Sequence, residues 1–373
     1  MDRNTAFVGL DVSKETIAVG IAEGGRRGEV RFYGSISSKP EAVAKLARTL
    51  AARHRQLVFA YEAGPTGYGL HRQLTQLGHA CHVVAPSMTP ARPGSKIKTD
   101  RRDAAVLASL LRAGELTSIW VPDTEHEAMR DLVRARISAV EAVRRTRQQL
   151  LSFLLRQGRA YKANGKHWTR SHRRWLGEQR FDHPAQQIAF EEYNRAIEQA
   201  EDRRMRIERQ IEALLPSWSL HPVVASLQAL RGVSLITAVT LAAEVGDFRR
   251  FANPRQLMAW LGLVPRERSS GSTRVQGSIT KAGNTRARRM LVESAWTYRL
   301  PARVAGDLLR RSANLPEPVR DIAWKAQVRL CARYRRMHRA GRPKNIVTVA
   351  IARELAAFAW AIAIKVPAPA PTD

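Results

Sequence analysis

Apolar residues in the first third of the chain come in short runs closed by turn residues, the pattern of strands rather than long helices. Runs at 6–12, 16–22 and 30–36 are separated by Ser13-Lys14 and Gly24-Gly25, which predicts a three-stranded meander. Residues 40–53 then carry apolar positions at helical spacing behind Pro40, a residue favoured at a helix start. A strand at 57–61, a helix at 67–77, a strand at 81–84 and a helix from about Thr99 complete the expected order βββαβαβα. That order places the first and fourth strands side by side in a sheet of the ribonuclease-H type.

Beyond Pro122 the strand signals vanish. Met129, Val133, Ile137, Val140 and Val143 recur at helical spacing. Tyr193, Ile197, Ala200, Ile207, Ile211 and Leu214 keep a near-heptad register broken by Arg204. Two long helices in an antiparallel coiled-coil hairpin fit this pattern. After Pro216, a turn at Arg231-Gly232-Val233-Ser234 introduces a helix running to Gly246-Asp247, the outline of a helix-hairpin-helix unit. Further helices are expected at 254–261, from Asn284 to about Arg299, at 318–339 and at 347–364. Between the first two of these lies a polar loop from Gly262 to Gly283. The expected division is an α/β domain over 1–120, a helical hairpin with a basic tip over 121–219, an all-α domain over 220–365 and a disordered tail over 366–373. No internal repeat is evident.

Composition changes this picture in one respect. The chain has 373 residues, with 62 Lys and Arg against 33 acids, a formal net charge of +29, and 44% hydrophobic residues. It can bury real cores, so it is not a disordered basic tail. Arginine supplies most of the excess, and its planar fork suits phosphate. A polyanionic partner is the expectation. Cys81 and Cys331 stand far apart, which suggests neither a disulfide framework nor a cysteine zinc site. The first ten residues do not read as a signal peptide. Residues 346–366 are strongly apolar but interrupted by Arg353 and Glu354, so a buried helix is expected there, with no membrane partner and a cytoplasmic location.

Candidate chemistry lies in four acids. Asp11 and Glu62 end apolar runs, while Asp100 and Asp103 open a helix three residues apart and so share one side of it. Strand ends and a helix start could bring all four together, and such a cluster is tolerable only with cations to neutralise it. Oxygen ligands select Mg²⁺ or Mn²⁺. A carboxylate metal site in a strongly basic protein points to phosphoryl transfer on nucleic acid. The segment 265–284 adds small hydroxyl residues and glycines ringed by Arg266, Arg268, Arg274 and Lys281. A hydroxyl there could be a nucleophile; composition does not choose among them. The connection between the long helices, with Lys162, Lys166, Trp168, Arg173, Arg174 and Trp175, suits phosphate contact and base stacking.

Val8-Gly9-Leu10-Asp11-Val12-Ser13-Lys14, Tyr61-Glu62-Ala63-Gly64-Pro65-Thr66-Gly67, Lys98-Thr99-Asp100-Arg101-Arg102-Asp103-Ala104 and Thr280-Lys281-Ala282-Gly283-Asn284 occur in that order. With these motifs the chain resembles, over nearly its whole length, the DEDD-type transposases of bacterial insertion sequences. In that group a RuvC-like domain precedes a helix-hairpin-helix transposase domain, and some members are bridge-RNA-guided serine recombinases. The resemblance implies that Asp11, Glu62, Asp100 and Asp103 bind the metal and that Ser270, directly before Gly271, is the nucleophile, with Ser269 its neighbour one residue away. It implies double-stranded DNA at element ends and target, a guide RNA, and a homodimer or homotetramer that assembles a composite site. Nucleic-acid contacts are expected from Arg266, Arg268, Arg274, Lys281, Arg286, Arg173 and Arg174. The chain departs from relatives that read Pro-Gly-Ile-Gly where it has Arg231-Gly232-Val233-Ser234, and it carries Thr280 where Ser is common. The rival expectation is a RuvC-like nuclease that uses water and forms no covalent intermediate.

Overall fold

The structure, a computed structural model, describes residues 4–25, 28–86, 89–90, 99–161, 167–270 and 273–367, of which 273 and 274 by backbone alone. It divides into two units, Met1–Val121 and Pro122–Asp373.

In the first unit, β1 (Thr5–Val12), β2 (Thr16–Glu23) and β3 (Val30–Ser37) form the meander. They are followed by α1 (Pro40–Ala51), β4 (Gln56–Glu62), α2 (Gly69–Gln76), β5 (Ala80–Val84) and α3 (Asp100–Ala113). The five-stranded sheet has the order β3-β2-β1-β4-β5. As expected, β1 and β4 are neighbours; they run parallel with Leu10 opposite Tyr61. Strand alternation sends Ala6, Val8 and Leu10 to one face, where they pack with Val43, Leu46 and Leu50 of α1 and Leu74 of α2. The other face packs Phe7, Val58 and Ala60 against Leu107 and Leu111 of α3.

Two glycines set the approach of α3. Gly9 and Gly20 are register partners on β1 and β2. A Cβ on either would stand 2.4 Å from the carbonyl oxygen of Ala104. The helix thus rests directly on strand backbone, with Ala104 and Ala108 fully buried beneath it. Thr99 caps α3 by accepting from the Arg102 amide, and Gly114, at φ 72°, closes it. Gly9→Ala would force α3 off the sheet at a cost of about 2 kcal/mol or more, measurable as a lower urea midpoint with the slope retained.

The second unit opens with α4 (Thr124–Arg156), α5 (Arg170–Gly177) and α6 (Pro184–Leu214). Ion pairs Arg136–Glu208 at 2.6 Å and Arg147–Glu201 at 2.5 Å tie α4 to α6 in antiparallel order. The connection expected between them contains α5, whose His172 and Leu176 turn inward; its polar sequence hides the helix from a hydrophobic-period reading. Then come α7 (His221–Leu227), α8 (Leu235–Val245), α9 (Pro254–Trp260), β6 (Pro265–Ser270), β7 (Thr273–Ile279), α10 (Thr285–Ala295), α11 (Asp307–Ser312), α12 (Glu317–Arg339) and α13 (Lys344–Ala363). The turn between α7 and α8 lies at 231–234, with Gly232 at φ 81°. Ser234 has φ −78° and ψ 174°, so the position requires no second glycine.

This unit is not all-α. The stretch expected as a polar loop is the antiparallel hairpin β6–β7, with Ser270 opposite Thr273 and Ser269 opposite Arg274. The β6 residues from Glu267 to Ser270 are all exposed, so no apolar alternation marks the strand. Among the described residues α13 alone is long and apolar enough to cross a membrane, and half of its apolar window is buried inside the fold. Val347, Ile351, Leu355 and Ile362 are fully buried in the core of the second unit. Lys98, Lys162, Lys166, Gly271, Ser272 and tail residues 368–373 lie outside the described residues.

Candidate active site

Asp11 is one residue past Leu10 on β1, and Glu62 one past Tyr61 on β4. Because Leu10 and Tyr61 are parallel register partners, the two acids occupy successive equivalent positions at the carboxyl ends of adjacent strands. That edge is where open α/β sheets place their ligands. Strand alternation puts Asp11 on the face of Gly9 and Glu62 on the face of Ala60, the face covered by α3. Asp103 immediately precedes Ala104, the residue seated over Gly9 and Gly20. Topology therefore gathers Asp11, Glu62 and Asp103 at one side of the sheet, with Asp100 exposed one helical turn earlier.

The contacts of these acids differ. Glu62 Oε1 accepts a hydrogen bond from Thr89 Oγ1 at 2.8 Å. Oδ2 of Asp103 is buried with no hydrogen-bond partner among the described residues. A buried carboxylate oxygen without a donor is costly, and a cation would remove the penalty. The donor set, all carboxylate oxygen, suits a hard divalent ion. As placed, however, no three His, Cys, Asp or Glu side chains among the described residues lie close enough together to hold a metal ion. Asp100 and Asp103 also have an ordinary structural use, since acids in the first turn of α3 complement its dipole.

Ser270 ends β6 at the tip of the hairpin and is exposed. Alternation puts Ser270 on the face of Arg268, whereas Ser269 shares its face with Glu267. Ser270 thus has a cation and no acid on its side. Arg266 and Arg268 are exposed. Lys281 is exposed at φ 57°, in the left-handed region where non-glycine residues are uncommon.

The base of the hairpin is clamped by the Thr280–Asn284 motif. The Thr280 amide donates to Val264 O at 2.9 Å and the Lys281 amide to Gly262 O at 3.1 Å. A Cβ at Gly262 would stand 2.0 Å from Ala282 O, and one at Gly283 1.9 Å from Trp260 O. Arg288 adds bonds to Leu261 O and Ala282 O. Asn284 caps α10 through Oδ1, which accepts from the Ala287 amide at 2.9 Å, while its Nδ2 donates to Glu244 Oε2 at 2.7 Å.

Glu244 was not singled out in the sequence. Its side chain is fully buried, held in a fork by Arg134 at 3.0 and 3.1 Å, with Arg286 Nε at 4.0 Å. Burial pushes its pKa up, but the bonds from Arg134 and Asn284 and the charges of Arg134 and Arg286 outweigh that and hold it below the usual glutamate value. The signal was available: one acid inside the otherwise apolar α8. Glu244→Ala should destabilise the second unit by about 2–3 kcal/mol, at or below the low end for a broken buried pair because Arg134 is partly exposed. A depressed carboxylate pKa stabilises above the unfolded value. Wild type should therefore lose this contribution as pH falls through the lowered folded value, and the variant's urea midpoint should lack that acid limb.

The basic connection of the long helices is mixed in character. Arg174 is exposed, but Arg173 shares Glu201 with Arg147. Trp168 lies under the Arg147 guanidinium, 4.7 Å from ring centre, and Trp175 stacks with His172; both pack against the small core of Phe153, Leu176 and Phe181. Both tryptophans are only partly buried, so each packs on the end of the α4–α6 pair.

Two family models match. Residues 224–304, which include Ser270, Glu244 and Asn284, match the "Transposase IS116/IS110/IS902 family". Residues 8–157, which include the four acids, match a model described as "Transposase", of the DEDD IS110 group. The "Putative transposase y4qE" of Sinorhizobium fredii is 53% identical over 362 residues, 97% of this chain and 89% of its own. The transposase for insertion sequence element IS1533 of Leptospira borgpetersenii is 31% identical over 337 residues, 90% of this chain and 97% of its own. With similarity of this extent over both units, the chain belongs to the IS116/IS110/IS902 family of transposases.

Proposed function

We propose that the protein cuts and rejoins DNA strands at the ends of an insertion sequence and at its target, with Ser270 as nucleophile and Asp11, Glu62, Asp100 and Asp103 as the site of a Mg²⁺ or Mn²⁺ ion. The observation that carries this reading is the set of acids on the α3 side of the sheet edge, one of them with a buried, unpartnered oxygen. In this reading the first unit is a ribonuclease-H/RuvC-like domain. The pair α7–α8 is a helix-hairpin-helix unit whose turn meets phosphate, and α4 with α6 is a coiled-coil assembly hairpin.

The ion, when bound, supplies charge neutralisation at the scissile phosphate. Ser270 Oγ attacks phosphorus, losing its proton to solvent or a nearby base, and the bond from phosphorus to the leaving strand oxygen breaks. That oxygen takes a proton. Arg268, on the same face, offsets the developing negative charge. The phosphoserine bond conserves the energy of the broken one, so the reverse attack by a strand hydroxyl reseals DNA without a nucleotide cofactor. The resemblance implies that the acids and Ser270 meet across copies of the chain, so that a dimer or tetramer would build each composite site. The resemblance adds an element-encoded RNA as guide, a second polyanion for the positive charge; like the DNA it acts on, it places the protein in the cytoplasm.

The test is a strand-exchange assay on duplex DNA carrying the element's ends, with Mg²⁺ and the element's non-coding RNA. Joined product without added ATP, lost on chelation and on omission of the RNA, is expected. Cut ends that are never rejoined would mean a water-using nuclease instead.

A further inference from the structure

Between Asp321 and Glu354 the chain contains no acid. Glu354, only 13% exposed, pairs with Arg329 at 2.8 Å and Arg333 at 2.9 Å and so pins α12 to α13. The cations that follow are different. Arg335, Arg336, Arg339, Arg342 and Lys344 are exposed, and none has an ion pair among the described residues. Leu330, Cys331 and Tyr334 bury the opposite side of the helix and fix which way these cations face.

Helix chemistry explains only part of the cluster. Arg336 and Arg339 lie in the last turn of α12, where positive charge complements the dipole. Arg342 and Lys344 do not, because Lys344 is the first residue of α13 and that first turn contains no acid. Positive charge there is opposed by the dipole and by its neighbours. A concentration of cations that the fold does not reward fits a polyanion outside the fold.

We propose that the α12–α13 turn is a docking site for the backbone of duplex DNA, made by residues other than the acids and the Ser270 hairpin and outside both segments that match family models. Arg335 and Arg339 stand at i and i+4, in a row along the end of α12, and Arg342 follows in the turn past its last residue. A helix end fits the wide major groove of B-form DNA, where such a row meets successive phosphates, but not the deep, narrow major groove of A-form RNA. Residues 335–346 contain no Phe, Tyr or Trp to stack unpaired bases, which disfavours single strands. The contact reads phosphate, so it holds DNA of any sequence.

The proposal rests on the DNA-recombinase reading only for its choice of polyanion. Its test is therefore binding, which is measurable whether or not Ser270 reacts. Full-length protein and the triple variant Arg335→Gln/Arg339→Gln/Arg342→Gln are titrated with a labelled non-specific duplex of about 30 base pairs across a salt series. Each lost phosphate contact lowers the slope of log affinity against log salt by about 0.9, so a decrease of about 2–3 is expected. The single variant Lys344→Gln, far less able to disturb folding, should lower it by about 0.9. Duplex binding with unchanged slope in both variants overturns the proposal. So does a loss confined to a parallel titration with hairpin RNA.

Discussion

Ser270→Ala should leave DNA binding and folding intact while strand cleavage falls by roughly 10⁴- to 10⁶-fold, the scale on which removal of a serine nucleophile acts. Ser270 is exposed at the tip of β6, so the change should move stability by no more than about 0.5 kcal/mol. Ser269→Ala is the informative partner. Ser269 sits on the other face of the strand with Glu267, and its removal should change the cleavage rate only several-fold. Measured by single-turnover cleavage of end-containing DNA, the two alanines should differ by orders of magnitude. Equal losses would mean that the hairpin as a whole matters and that neither hydroxyl is the attacking group.

Asp103→Asn should act on stability and activity in opposite directions. Without metal, the buried Oδ2 of Asp103 has no donor among the described residues, and replacing a charged orphan by a neutral one should recover about 1 kcal/mol. For the melting of the first unit, Met1–Val121, that is a rise of roughly 4 °C in Tm. The same substitution weakens the hold on the ion, and loss of about 4 kcal/mol of transition-state stabilisation corresponds to a rate about 10³-fold lower. Added Mg²⁺ should raise the Tm of wild type and leave that of the variant nearly unchanged. A site that is destabilising until occupied is a common trade of stability for function. Thermal unfolding with and without Mg²⁺ checks both halves at once. A variant less stable than wild type in chelator would show that Asp103 serves folding instead.

Much of the first unit was legible because its physics is local. Apolar runs bounded by Ser13-Lys14 and Gly24-Gly25 reproduce β1 to β3 within a residue or two, and the position of Asp11 and Glu62 at run ends translates into the carboxyl ends of adjacent strands. The long helices α4 and α6 were legible for the same reason, each carrying an apolar stripe at helical spacing, and α13 as a long apolar run. The hairpin β6–β7 was not. Its residues are polar on both faces, so no period distinguishes strand from loop, and its stability comes from the clamp at Gly262, Lys281 and Gly283. Glu244 was hidden differently. Its partners Arg134 and Asn284 are 110 and 40 residues away in the chain, and only the fold brings them together. For Trp168 and Trp175 the sequence could not show that the rings also pack on the end of a helix pair, because cations beside aromatics look alike in either use.

The most direct test of the central claim is chemical capture of the intermediate. Wild-type protein is incubated with Mg²⁺, the element's RNA and labelled DNA carrying the element's ends, then denatured and digested with trypsin. The account predicts labelled DNA covalently joined to the peptide that contains Ser270, with the phosphate mapped to that serine by mass spectrometry and absent from Ser270→Ala. Cleaved DNA with no protein attached in either sample would contradict it and identify water as the nucleophile.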